Sequence, residues 1–170
     1  MDGASGAPSA IIAAGIVPSA IEMMDQLATE AVEASVGAGY PLDAGGILLV
    51  EVDGVRDGLD ALRVRIEAIC HEHHAASIRV AATALERDRL WAGRKGAFAA
   101  MGRLSPDYYV QDGVIPRTRL PEILQHCAAV GARYGLRIAN GFHAVDGNLH
   151  PLLLFDGPKG HDEGERWKEA

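Results

Sequence analysis

Apolar positions along the chain switch between helical and strand spacing, with turn residues at the switches. Met24, Leu27, Ala28, Ala31 and Val32 recur at helical intervals up to Gly37, and Ser19 followed three residues later by Glu22 reads as a capping box opening that helix. Ile47–Val52 is a short apolar run ended by Asp53-Gly54 and predicts a buried strand. Leu59, Leu62, Ile66, Ile69 and Cys70 mark one face of a second helix. Residues 77–82 predict a second strand, and Thr83 with Glu86 forms another capping box, for a helix running to about Met101. Residues 108–115 predict a third strand, and a fourth helix begins at Pro121, carries Ile123, Cys127, Val130 and Tyr134, and is closed by Gly135. Residues 137–144 and 149–155 then form two strands around a tight turn. This order predicts an α+β fold with helices on one face of a mostly antiparallel sheet.

The ends of the pattern are polar. Residues 2–9 (DGASGAPS) read as a frayed, flexible entry, and residues 156–170 as a charged tail that could begin another helix. The apolar run Ala10–Val17 is interrupted by Gly15 and ended by Pro18, well short of the roughly 20 residues that span a bilayer. Without a basic segment before it, it does not read as a signal peptide either. A chain of 170 residues with 48% hydrophobic and 23% charged residues is expected to be one globular domain. Its net charge of −7 argues against a nucleic-acid or acidic-membrane partner, which would normally require a basic face. Cys70 and Cys127 lack metal-site spacing and occupy apolar helical positions, so they read as buried structural thiols in a reducing, cytoplasmic setting.

Candidate chemistry concentrates in His143-Ala-Val-Asp-Gly-Asn-Leu-His150. Asp146-Gly147 between strand formers is a leading two-residue hairpin turn. A turn there pairs Val145 with Asn148, Ala144 with Leu149 and His143 with His150, the two histidines sharing a face with Cβ atoms about 4.5–5.5 Å apart. Two imidazoles so placed could share a zinc-like ion, although a catalytic site takes three protein ligands. A hairpin carrying two histidines without any ion is the competing reading. Asp146, at the tip of the turn, is poorly placed to join them in a metal hydrolase site.

A second candidate is the helical stripe Arg87, Trp91, Arg94, Phe98. Arg94, with Lys95 beside it, could hold a small carboxylate through its planar guanidinium. The competing reading is a solvated basic rim whose arginine stems lie over a core tryptophan. The dense run Cys70-His-Glu-His-His74 is read as structural, because adjacent helical residues diverge and histidines suit a helix C-terminus without any ligand.

The stretches Gly15-Ile-Val-Pro-Ser-Ala-Ile-Glu-Met-Met-Asp25, Ala38-Gly-Tyr-Pro-Leu-Asp43, Leu90-Trp-Ala-Gly-Arg-Lys95, Ser105-Pro-Asp-Tyr-Tyr-Val-Gln-Asp-Gly113 and Phe142–Pro151 together span most of residues 10–155. They resemble the glycolate oxidase flavoprotein subunit and D-lactate dehydrogenase family of FAD-linked oxidases. The resemblance implies a ferredoxin-like cap domain, C-terminally truncated, that closes over the substrate of an FAD-dependent oxidation of a 2-hydroxy acid to a 2-oxo acid. It implies His143 and His150 as ligands of a divalent metal such as zinc or manganese, and Arg94 as the substrate-carboxylate clamp. It also implies a flavin-binding domain or subunit as partner, because this chain lacks that domain, and an iron-sulfur electron-accepting subunit as a further partner. Alone, such a chain is expected to be inactive.

Two departures from the family accompany the resemblance. Val145 stands where the family usually has glycine, and the hairpin register above turns its side chain toward the histidines. A further acidic ligand of the family would lie beyond Ala170. The alternative is a non-catalytic α+β module that binds a small carboxylate or a partner protein, and Val145 is the feature that favours it.

Overall fold

The computed structural model describes residues 2–156. Its elements in chain order are α1 (Asp2–Ala13), β1 (Ala20–Asp25), α2 (Gln26–Val36), β2 (Gly46–Glu51), α3 (Arg56–Glu72), α4 (Ala84–Lys95), the short α5 (Ala97–Ala100), β3 (Asp107–Val110), β4 (Gly113–Val114), α6 (Leu120–Tyr134), β5 (Arg137–His143) and β6 (Asn148–Phe155). The strands form one six-stranded sheet in the order β2-β1-β5-β6-β3, with β4 also on β6. All of the strand pairings are antiparallel. The α+β class with an antiparallel sheet is therefore what the chain adopts.

The helices, expected on one face, cover both. Along β2, Ile47 and Leu49 pack with Met24, Ala139, Leu152 and Leu154 against α2, α4 and α5. The alternate residues Leu48 and Val50 pack with Ile21, Met23, Phe142 and Leu149 against α1, α3 and α6. Successive side chains of a strand point to opposite faces, and the run 47–50, expected as a buried strand, instead forms the edge strand β2, where its side chains are half-buried on both faces. A single helical layer would have left half of these side chains in water.

Four local expectations are corrected. Residues 2–9 do not form a frayed entry: they belong to α1, where Ser5, Ala7 and Pro8 are buried. The helix expected from Ser19 starts only at Gln26, after a strand. Ser19 Oγ donates to the Glu51 carbonyl at 3.0 Å, extending the β1–β2 ladder, and the helix is capped by Asp25, whose Oδ1 accepts from the Ala28 amide at 2.8 Å. Residues 77–82 form no strand. Ile78 and Val80 are exposed, and Arg79 ties the segment to the carbonyls of Gly39 and Ala38 at 3.1 and 3.2 Å, so the alternation that read as a strand finds no neighbouring ladder.

The third strand divides into β3 and β4. Between them Gln111 donates to the Pro151 carbonyl at 2.9 Å, but proline has no N–H to return, and the ladder breaks there. The other helix signals hold. Thr83 and Glu86 cap α4 reciprocally, α3 covers the predicted apolar face, and α6 begins with proline at its first turn and closes at Gly135. Gly93 of α4 lies against the Tyr40 ring, where an added Cβ would come within 2.5 Å of a ring carbon. Its lack of a side chain lets α4 pack closely over Tyr40. The tail from residue 157 onward lies outside the described residues.

Candidate functional site

The hairpin between β5 and β6 carries the two histidines in a register different from the expected one. His143 pairs with Asn148, Phe142 with Leu149 and Gly141 with His150, which leaves a four-residue connection, 144–147, in place of two. Ala144 leaves the β5–β6 ladder because its amide donates to Ile21 on β1 at 2.8 Å, and its methyl is fully buried. Asp146 Oδ1 accepts from the Asn148 amide at 3.0 Å and closes the turn locally, so its carboxylate faces the turn and not the histidines. Gly147 sits at φ +78, and its carbonyl accepts from Ile115 at 3.0 Å.

The register changes by two residues, and the side-chain period of a strand is two, so both histidines keep the same face. They are diagonal neighbours rather than direct partners. Their ring centroids are 5.4 Å apart and nearly perpendicular at 89°. Val145 does not share that face. Its side chain packs with Ile21, Met23 and Phe142 on the opposite side of the sheet, so it does not crowd the histidines, and the feature that favoured a non-catalytic module loses its force.

Beneath the histidines lies a carboxylate that sequence reasoning assigned elsewhere. Glu22 sits in the middle of β1, paired with Leu49 on one side and directly across from His143 on the other. Its Oε1 accepts from His143 Nδ1 at 2.7 Å, and its Oε2 accepts from Arg94 Nε at 3.0 Å. Arg94 Nη2 lies 3.0 Å from the same oxygen, and both side chains are buried. The Ser19–Glu22 spacing had directed Glu22 to a helix cap. The signal that could have placed it is its position inside the apolar run 21–24, where a lone carboxylate requires a buried partner.

The stripe on α4 and α5 therefore divides. Arg87 is half-exposed and pairs with Glu51 at 2.6 Å, as a rim residue does. Trp91 is half-buried, and Lys95 is exposed and does not join its neighbour. Arg94 turns inward onto Glu22, and Phe98 meets His150 edge-on, with centroids 5.9 Å apart. Arg94 and Phe98 also line a narrow cavity with Ala28, Met101, Gly141 and Leu152.

Each imidazole has a carboxylate on its Nδ1 side. His143 directs Nδ1 to Glu22, and His150 Nδ1 lies 3.4 Å from Asp112 Oδ1, so both Nδ1 atoms face carboxylates. Neither Nε2 hydrogen-bonds to any described residue. A carboxylate behind the imidazole is the usual arrangement behind metal-ligating histidines. Asn148, across from His143, has a buried side-chain oxygen without a hydrogen-bond partner, and Arg94 Nη2 likewise lacks a hydrogen bond of good geometry. Among the described residues, however, no group of three or more His, Cys, Asp or Glu side chains is placed to hold a metal. The two histidines stand together without a third such ligand beside them among the described residues.

Elsewhere the chemistry is quiet. Burial raises the Cys70 and Cys127 thiols above their ordinary range, with smaller contributions from Glu67 and Asp25, as structural cysteines require. No described helix is long and apolar enough to cross a membrane.

The family described as "FAD linked oxidases, C-terminal domain" matches residues 1–170. The chain belongs to this family. It is 51% identical over 146 residues to the glycolate oxidase subunit GlcD of Escherichia coli (strain K12), covering 86% of this chain and 29% of that protein. It is 34% identical over 170 residues to the glycolate oxidase subunit GlcD of Bacillus subtilis (strain 168), covering 100% of this chain and 36% of that protein. With a protein of Danio rerio named probable D-lactate dehydrogenase, mitochondrial, the identity is 27% over 158 residues, covering 92% of this chain and 31% of that protein. The chain thus spans about a third of the length of these relatives.

Proposed function

We propose that this FAD-linked oxidase C-terminal domain forms the substrate-capping wall of an enzyme that oxidises a small 2-hydroxy acid, of the glycolate or D-lactate type, to the 2-oxo acid. The observation that carries the reading is the pair His143 and His150, with rings 5.4 Å apart on one sheet face, His143 Nδ1 hydrogen-bonded to the buried Glu22 and His150 Nδ1 3.4 Å from the exposed Asp112. Their two Nε2 atoms would hold a divalent ion such as zinc or manganese, with the remaining ligands from outside the described residues or from the substrate. Bound there, the ion would supply Lewis-acid polarisation of the substrate's hydroxyl and carboxylate oxygens, and FAD the hydride acceptor.

This chain's own part is binding and orientation. Arg94 contributes the buried positive charge behind the histidine face, and it serves a substrate carboxylate as clamp only by sharing its guanidinium with Glu22. Phe98, against His150, keeps one side of the site apolar. Hydride transfer needs the flavin, so the proposed catalysis requires a flavin-binding domain or subunit beside these residues. An iron-sulfur subunit is the proposed further electron acceptor. The two half-buried, unpaired thiols support a reducing compartment such as the cytoplasm.

Calorimetric titration of the chain with zinc and with manganese, with and without glycolate or D-lactate, tests the reading. Binding that is strengthened by the hydroxy acid and lost in both His143→Ala and His150→Ala is expected. Binding indifferent to both substitutions, or no binding, sinks the metal half-site and leaves a non-catalytic module that binds a small carboxylate or a partner protein.

A further inference from the structure

Glu22 has two carboxylate oxygens and two buried obligations. Oε2 faces the Arg94 guanidinium, and Oε1 faces His143 Nδ1 at 2.7 Å. A carboxylate can only accept, so the hydrogen between Glu22 and His143 must sit on Nδ1. A neutral imidazole with its hydrogen on Nδ1 has its lone pair on Nε2, the nitrogen that no described residue engages. His143 is half-exposed while Glu22 and Arg94 are buried, so the ring is steered from below and presents its outer edge to whatever approaches the face.

We infer that Glu22 is a positioning residue: held by Arg94, it locks His143 in the tautomer that leaves Nε2 free to accept a divalent cation. This rests on the half-site reading above for the identity of the ligand, but not for the tautomer. It also gives Arg94 a role beyond substrate binding. With the guanidinium on one oxygen, the carboxylate cannot turn away from the ring, and the His143 side chain keeps one orientation on the sheet.

The geometry makes an unusual demand on a conservative change. Glutamine offers one acceptor and one donor group in place of two acceptors. In Glu22→Gln the charged Arg94 claims the carbonyl oxygen, the NH2 group turns to His143 Nδ1, and the imidazole must carry its hydrogen on Nε2. The lone pair then points inward. In the double variant Glu22→Leu/Arg94→Met, apolar side chains replace the whole pair, His143 loses its partner, and the ring reverts to the Nε2–H form that free histidine prefers. Replacing a buried ion pair by apolar residues of similar volume is often neutral for stability, so this variant serves should the single one fail to fold.

The experiment is nitrogen-15 NMR of histidine-labelled chain without metal, at a pH where the rings are neutral, followed by zinc titration of the same samples. The wild-type chain is expected to show His143 with hydrogen on Nδ1, and both variants with hydrogen mainly on Nε2. Zinc affinity should fall about 10–100-fold in each variant. Wild-type and variant chains sharing one His143 tautomer would overturn the assignment. A wild-type Nδ1–H tautomer that switches in the variants, with no zinc bound by any of them, would uphold Glu22 as the positioning residue and remove the metal reading instead.

Discussion

The Asp25 carboxylate reaches from the end of β1 to Asn140 in β5, where its Oδ2 accepts from both the backbone amide at 2.7 Å and the side-chain Nδ2 at 2.9 Å. Its other oxygen caps α2 through Ala28. One buried side chain thus fixes a helix start to the next strand of the sheet, one residue beyond the last paired position of the β1–β5 ladder. Asparagine at position 25 would turn a donor toward two donors, so Asp25→Asn should lower stability by about 1–3 kcal/mol in denaturant unfolding.

The same group predicts a pH dependence. Burial, outweighing the hydrogen bonds from Ala28 and Asn140, raises the Asp25 carboxyl above its ordinary 3.8. A raised folded value means that the group's stabilisation is complete below 3.8 and is lost as pH rises through the folded value. The wild-type advantage over Asp25→Asn should therefore widen as pH falls from neutral toward 3.8, measured as paired unfolding free energies. An advantage that stays flat or narrows on acidification would show that burial does not dominate.

Arg94→Met alone strands the Glu22 carboxylate in the interior with only His143 as partner. Breaking a buried pair in this way costs about 3–5 kcal/mol. Adding Glu22→Leu should recover most of the loss, giving a large coupling energy in a double-mutant cycle of chemical denaturation. A single-variant loss below about 1 kcal/mol, the level of a solvated pair, would mean that water reaches Glu22.

The turn offers two contrasting substitutions. An added Cβ at Gly147 would fall 2.1 Å from the Ile115 carbonyl oxygen, at a φ of +78 that favours glycine. Gly147→Ala should therefore cost about 1–3 kcal/mol and shift the NMR signals of the His143 and His150 rings. Val145→Gly trims a partly buried side chain on the other face. It should lower the melting temperature while leaving those ring signals in place, and movement of the signals would return Val145 to the histidine face.

Much of this protein was legible without coordinates wherever the determining interactions are local. The Thr83–Glu86 box, the apolar face of α3, Pro121 and Gly135 at the ends of α6, and the run 47–50 each specify an element within one or two turns of chain, and each formed where expected. The shared face of His143 and His150 was legible for a related reason: side-chain alternation has a period of two and survives an even change of register. Tertiary structure alone decided the register itself, because Ala144 answers to Ile21 on a strand more than 100 positions earlier. It also decided that Ser19 extends a ladder instead of capping a helix, that residues 77–82 find no strand to join, and that Arg94 faces inward. Glu22 shows the reason most clearly. Its sequence neighbours offer it a helix cap, while Arg94 and His143, distant along the chain, offer a buried acceptor role that forms only after three separate elements have packed together.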